Sequence, residues 1–130
     1  MKHFLLLDDD NIFNFLTAKK IQLSGFKGKI DIFTVADDLL KYLKDLRVEN
    51  TKMKYAILLD IRMPGVSGFQ FLDEMITLPE NVLKNTKVFV LTSSIDRRDY
   101  EKAFSYPFVD GFFSKPLDTA AITKMLAAYD

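Results

Sequence analysis

FLLLDDDN, residues 4–11, runs four apolar side chains straight into three carboxylates. The apolar part is unbroken, as suits a strand covered on both faces. The acidic part poses a problem. At about 4 Å and an effective dielectric near 20, two carboxylates repel by roughly 4 kcal/mol. Acids so placed must point apart, take up protons or share a cation.

Working outward, HFLLLD (3–8) is the first of five apolar runs, followed by KIDIFTV (29–35), YAILLD (55–60), KVFVLT (87–92) and GFFSKP (111–116). The first, third and fourth are continuously apolar. Between the runs lie segments with helical spacing: Leu39, Leu40, Leu43 and Leu46; Phe71, Leu72, Met75 and Leu78; Ile122, Met125, Leu126 and Tyr129. Segment 11–24 is apolar but less periodic, and 95–105 is mostly polar, with Ile95 and Phe104 as weak anchors. Five alternations of strand and helix predict an α/β fold: a doubly wound, five-stranded parallel sheet with helices on both faces and right-handed crossovers.

The 130 residues fit one domain, and 48% hydrophobic with 28% charged residues is a globular composition. Lys plus Arg and Asp plus Glu number 18 each. A net charge of zero argues against non-specific nucleic-acid binding, which needs a positive field. The absence of cysteine excludes disulfides and thiolate metal sites and is compatible with a reducing cytoplasm. The N-terminal apolar stretch is too short for a signal peptide, and no run approaches the ~18 residues of a membrane helix. A cytoplasmic protein is expected, with no membrane segment.

In a doubly wound sheet, ligands bind beyond the carboxyl ends of the strands, where strand order reverses. The run-ending residues therefore matter most: Asp8 and Asp9, Asp60, Thr92 and Lys115. Asp8, Asp9 and Asp60 offer hard oxygen ligands of the kind Mg²⁺ prefers. A strand-end carboxylate can act as a nucleophile and form an acyl phosphate. Lys115 and a metal can neutralise the transferring group, and Thr92 can donate a hydrogen bond to it.

Each residue alone also has a plainer reading. Asp is a favoured helix N-cap, a role assigned here to Asp10 or Asn11. Asp60 alone reads as a turn residue before a Pro/Gly loop. Thr92 alone reads as a β-branched strand residue, and neighbouring Ser93 leaves the register open by one. Lys115 alone reads as a surface lysine, and Phe112 as one aromatic among 12 phenylalanines. His3 has neither a partner acid nor metal spacing in the sequence and is assigned nothing.

Taken together, DD after FLLL, YAILLDIRMPGVSG (55–68), VFVLTSS (88–94) and DGFFSKP (110–116) resemble a receiver domain of a two-component response regulator, of the single-domain chemotaxis-regulator type. The resemblance covers essentially residues 1–130, as one receiver domain without an output domain. It implies the flavodoxin-like (βα)5 fold with strand order 2-1-3-4-5. It implies Asp60 as phosphoacceptor, with Thr92 and Lys115 assisting. Mg²⁺ would be held by Asp8, Asp9, Asp60 and the backbone carbonyl of Arg62. Phe112 would be the switch aromatic, pointing opposite Lys115 and rotating as Thr92 is drawn in. That motion would remodel the face of the fourth helix, fifth strand and fifth helix, through which some receivers form homodimers. The Lys115–Pro116 bond would be cis. Implied partners are a histidine kinase or histidine phosphotransfer protein and a downstream protein. Arg62 and Ser94 occupy positions that vary in the family and tune phosphoryl lifetime, and Ser93 replaces a common Ala or Gly.

Two other functions fit less of the chain. DDDNI (8–12) loosely matches the nucleophile signature of haloacid-dehalogenase-type phosphatases, with Asp8 as nucleophile. Ile12 is off that pattern, and the later acidic pair and cap insertion are missing. A receiver-like binding module that never uses phosphate is the other.

Overall fold

The structure, a computed structural model, describes residues 2–46, 53–65, 67–93 and 96–129. Five strands, β1 (Lys2–Leu7), β2 (Lys29–Phe33), β3 (Lys54–Asp60), β4 (Thr86–Thr92) and β5 (Val109–Ser114), form one parallel sheet in the order β2-β1-β3-β4-β5. The helices are α1 (Asn11–Leu23), α2 (Ala36–Lys44), α3 (Gly68–Met75), α4 (Glu80–Leu83), α5 (Arg97–Ala103) and α6 (Thr119–Tyr129). The doubly wound fold is as expected, with one addition. The short α4 is a sixth helix beyond the five expected, so the face read as fourth helix, fifth strand and fifth helix is here α5, β5 and α6. Leu78 and Val82 are buried four residues apart on either side of Pro79, and Thr86 donates its hydroxyl to the Val82 carbonyl at 2.8 Å. Ser94 and Ile95 lie outside the described residues.

Strand alternation splits the core in two. Leu5 and Leu7, Ile57 and Leu59, and Val88 and Val90 face one side, where α2 and α3 bring Leu39, Leu43, Phe71 and Met75. Phe4 and Leu6, Ala56 and Leu58, and Phe89 and Leu91 face the other, covered by Ile21 of α1 and Ile122 and Met125 of α6. A central strand buried on both faces must be apolar throughout, which is why β1, β3 and β4 read as continuous runs. β2, at the edge, is only half covered.

The weak periodicity of segment 11–24 has a physical cause. The face α1 buries is partly polar, made of Asn14, Thr17 and Ile21, while Ile12 (73% exposed), Phe15, Leu16 and Leu23 point to solvent.

His3 does have a partner acid, contrary to the sequence reading. Its Nε2 lies 2.7 Å from Asp31 Oδ2, supplied by β2 across the register, at the end of the sheet opposite the acidic cluster.

Candidate functional site

The loops leaving β1, β3 and β5 converge at the carboxyl edge of the sheet. Because β1 lies beside β3, Asp8 and Asp9 come to Asp60, and one carboxylate oxygen from each of the three lies within 4.8 Å of the others. Asp8 and Asp60 are buried, at 3% and 4% exposure, and Asp9 is exposed. Asp10, directly after them, is the N-cap of α1, accepting from the N–H groups of Ile12 and Phe13. The third acid of the run is thus accounted for by helix capping.

Lys115 reaches into the cluster, its Nζ 2.5 Å from Asp8 Oδ2 and 3.2 Å from Asp60 Oδ2. Its backbone N–H donates to the Thr92 carbonyl at 2.8 Å, and its bond to Pro116 is cis. Asp8 Oδ1 accepts the Asp10 N–H, and Asp60 Oδ1 accepts the Arg62 N–H at 3.0 Å. Three carboxylates against one ammonium leave a formal charge of −2. Burial pushes the Asp60 carboxyl above its ordinary range; the Arg62 N–H opposes this, and Asp8 reinforces it. Burial alone would lower the Lys115 ammonium, but Asp8 and Asp60 more than reverse this and hold it raised.

The donor set fits Mg²⁺. Ligands of one Mg²⁺ stand about 2.1 Å from the ion and so up to about 4.2 Å from each other. Oxygens already within 4.8 Å need only small adjustment. A divalent cation would also balance the cluster's charge.

Thr92, fully buried, ends β4 beside the cluster, while Ser93 is exposed. Alternation puts Thr92 on the side of Val88 and Val90. Phe112, paired with Val90 in the sheet, is half-buried against that same core, its ring 5.4 Å from Tyr100 of α5. Lys115 points the other way, over the Phe13 ring of α1 at 4.2 Å.

Sequence reasoning passed over four residues here. Phe13 roofs the ammonium. Asn14 Nδ2 donates to the Asp8 carbonyl at 2.9 Å. Asp99 of α5 pairs with the Arg62 guanidinium. Gly68 begins α3 against the acceptor loop; a Cβ there would stand 2.6 Å from Ile61 Cα and 3.0 Å from the Asp60 carbonyl oxygen. Only Gly68, in the motif VSG, left a local signal.

Residues 4–127 match the response regulator receiver domain family. The chain belongs to that family. A two-component response regulator from Cytophaga hutchinsonii is 29% identical, with a TM-score of 0.88 over 99% of this chain and 96% of its own. A response regulator receiver protein from Dyadobacter fermentans is 25% identical, with a TM-score of 0.86 over 99% and 98%. The probable methanogenesis regulatory protein FilR2 of Methanothrix harundinacea is 31% identical over 113 residues, 87% of this chain and 71% of that protein. The receiver is thus a phosphoacceptor protein of two-component signalling rather than a turnover phosphatase, and it carries the acidic cluster in which receiver domains bind Mg²⁺. Among the described residues, no helix is long and apolar enough to cross a membrane.

Proposed function

We propose that Asp60 accepts the phosphoryl group from a phosphohistidine of a histidine kinase or histidine phosphotransfer protein. The supporting observation is the convergence of Asp8, Asp9 and Asp60 on one ammonium, Lys115. A carboxylate oxygen of Asp60 attacks phosphorus in line; the P–N bond breaks as the P–O bond forms, and the imidazole leaves. Asp8, Asp9, Asp60 and the Arg62 carbonyl would hold Mg²⁺, whose charge offsets that of the incoming phosphoryl oxygens. Lys115, steadied by Phe13, then neutralises one of those oxygens, and Thr92 donates a hydrogen bond to another. Recruitment of the Thr92 hydroxyl frees space on the Phe112 side of the sheet, so the ring turns and the α5–β5–α6 face changes for a downstream protein. Ile12, Phe15 and Leu16, exposed beside the pocket, suit the apolar surface of the phosphohistidine donor.

Incubation with acetyl phosphate and Mg²⁺ should give one base-labile phosphate per chain. The Asp60→Asn protein should take none, and chelation of Mg²⁺ should stop labelling. Equal labelling of wild type and Asp60→Asn would overturn the assignment.

A further inference from the structure

Arg62 follows Asp60 by two residues and treats it in two ways. Its backbone N–H donates to Asp60 Oδ1 at 3.0 Å. Its guanidinium is engaged elsewhere, Nη2 donating to Oδ2 of Asp99 on α5. The Arg62 side chain is 55% exposed, whereas Asp99 is largely covered. The neighbouring cation on α5, Arg98, is engaged by Asp96 at 3.2 Å. The next residue after Asp99 is Tyr100, whose ring packs T-shaped against Phe112 with centroids 5.4 Å apart. One helix thus grips the acceptor loop with Asp99 and the candidate switch ring with Tyr100.

We propose that Asp99 is a positioning residue that holds the Arg62 guanidinium on α5, away from the acceptor, and so sets the lifetime of the phosphoryl group on Asp60. This rests on the reading of Asp60 as acceptor. An acyl phosphate would place a near-dianion on the residue to which the Arg62 backbone is already bonded, and phosphoryl oxygens are stronger acceptors for a guanidinium than one carboxylate oxygen. An ion pair whose guanidinium stands largely in solvent is weak, so the guanidinium is poised between two partners. When it crosses to the phosphoryl group it shields phosphorus from water, and α5 loses a tether next to Tyr100. Asp99 opposes both effects.

The test is the decay of the base-labile phosphate after loading with acetyl phosphate and Mg²⁺ and removal of the donor. Asp99→Asn should lengthen the half-life about two- to fivefold, the population factor of an exposed pair. Asp99→Glu, which keeps the carboxylate, should restore a half-life near wild type. In an Arg62→Met background, Asp99→Asn should change nothing, a result that a merely structural role for Asp99 would not produce. An unchanged half-life in Asp99→Asn overturns the proposal, as does an equal effect with Arg62 removed. Label retained by Asp60→Asn overturns the acceptor reading and this proposal with it, whereas label confined to Asp60 with an unchanged Asp99→Asn half-life overturns this proposal alone.

Discussion

Burial holds the Asp60 carboxyl above the ordinary value of 3.8; the Arg62 N–H pulls it down, Asp8 raises it and Lys115 offsets part of the rise. A carboxylate raised on folding contributes stability below its unfolded value, and that contribution is lost as pH climbs through the raised one. In metal-free buffer at neutral pH, Asp60→Asn should therefore stabilise the fold by on the order of 1 kcal/mol, since it relieves carboxylate repulsion but forgoes the Lys115 pair. Thermal scans should show a midpoint higher by roughly 2–6 °C. The gain should shrink on acidification and when Mg²⁺ is added to both proteins. A lower midpoint for Asp60→Asn at neutral pH would show that Lys115 already compensates the cluster. Asp8, Asp9, Asp60 and Lys115 were legible because each combines a reactive side chain with a strand-ending position. Phe13 and Asp99 were not, because they meet Lys115 and Arg62 only across the tertiary fold and carry no local pattern of their own.

At the scale of elements, the apolar runs located every strand to within two residues, since burial on both faces leaves a sequence little choice. The helices were less even. α2 and α3 have regular apolar stripes, whereas α1 turns a partly polar face inward, so its periodicity was weak for a structural reason. α4 spans four residues, too few for any periodicity. The start of α3 is set by the reciprocal Ser67–Gln70 capping box and by the lack of a side chain at Gly68. Gly68→Ala would force a methyl against Ile61 Cα and the Asp60 carbonyl, both backbone atoms with little freedom to yield. It should cost about 1–3 kcal/mol in urea titrations. It should also weaken Mg²⁺ binding, read by calorimetry, because the displaced loop carries the Asp60 carboxylate and the Arg62 carbonyl. Unchanged stability would mean that α3 slides away without disturbing the loop.

Across the whole molecule, the apolar runs predicted a parallel sheet, but the order of its strands came from family resemblance. Nothing in the runs themselves says that the third strand lies beside the first. The sheet separates two layers of different make-up. Leucine, phenylalanine and methionine hold α2 and α3, whereas α1 is held by Ile21 with the half-buried Phe13 and Ala18, by Asn14 on the Asp8 carbonyl and by the Lys20 ammonium on the Leu117 carbonyl. Regions with fewer buried apolar contacts open at lower free energy. In native-state hydrogen exchange, α1 amides should therefore open more readily than those of α3, by about 1–2 kcal/mol. Mg²⁺ should narrow the gap by tightening the Asp8–Asp9 turn that leads into α1. Equal protection of both helices would refute this asymmetry. The helix that shows its oily side to solvent is thus also expected to be a looser wall of the site than α3. A visiting protein that covered Phe15 and Leu16 would quiet its breathing, making capture of that visitor and firming of the pocket one and the same event.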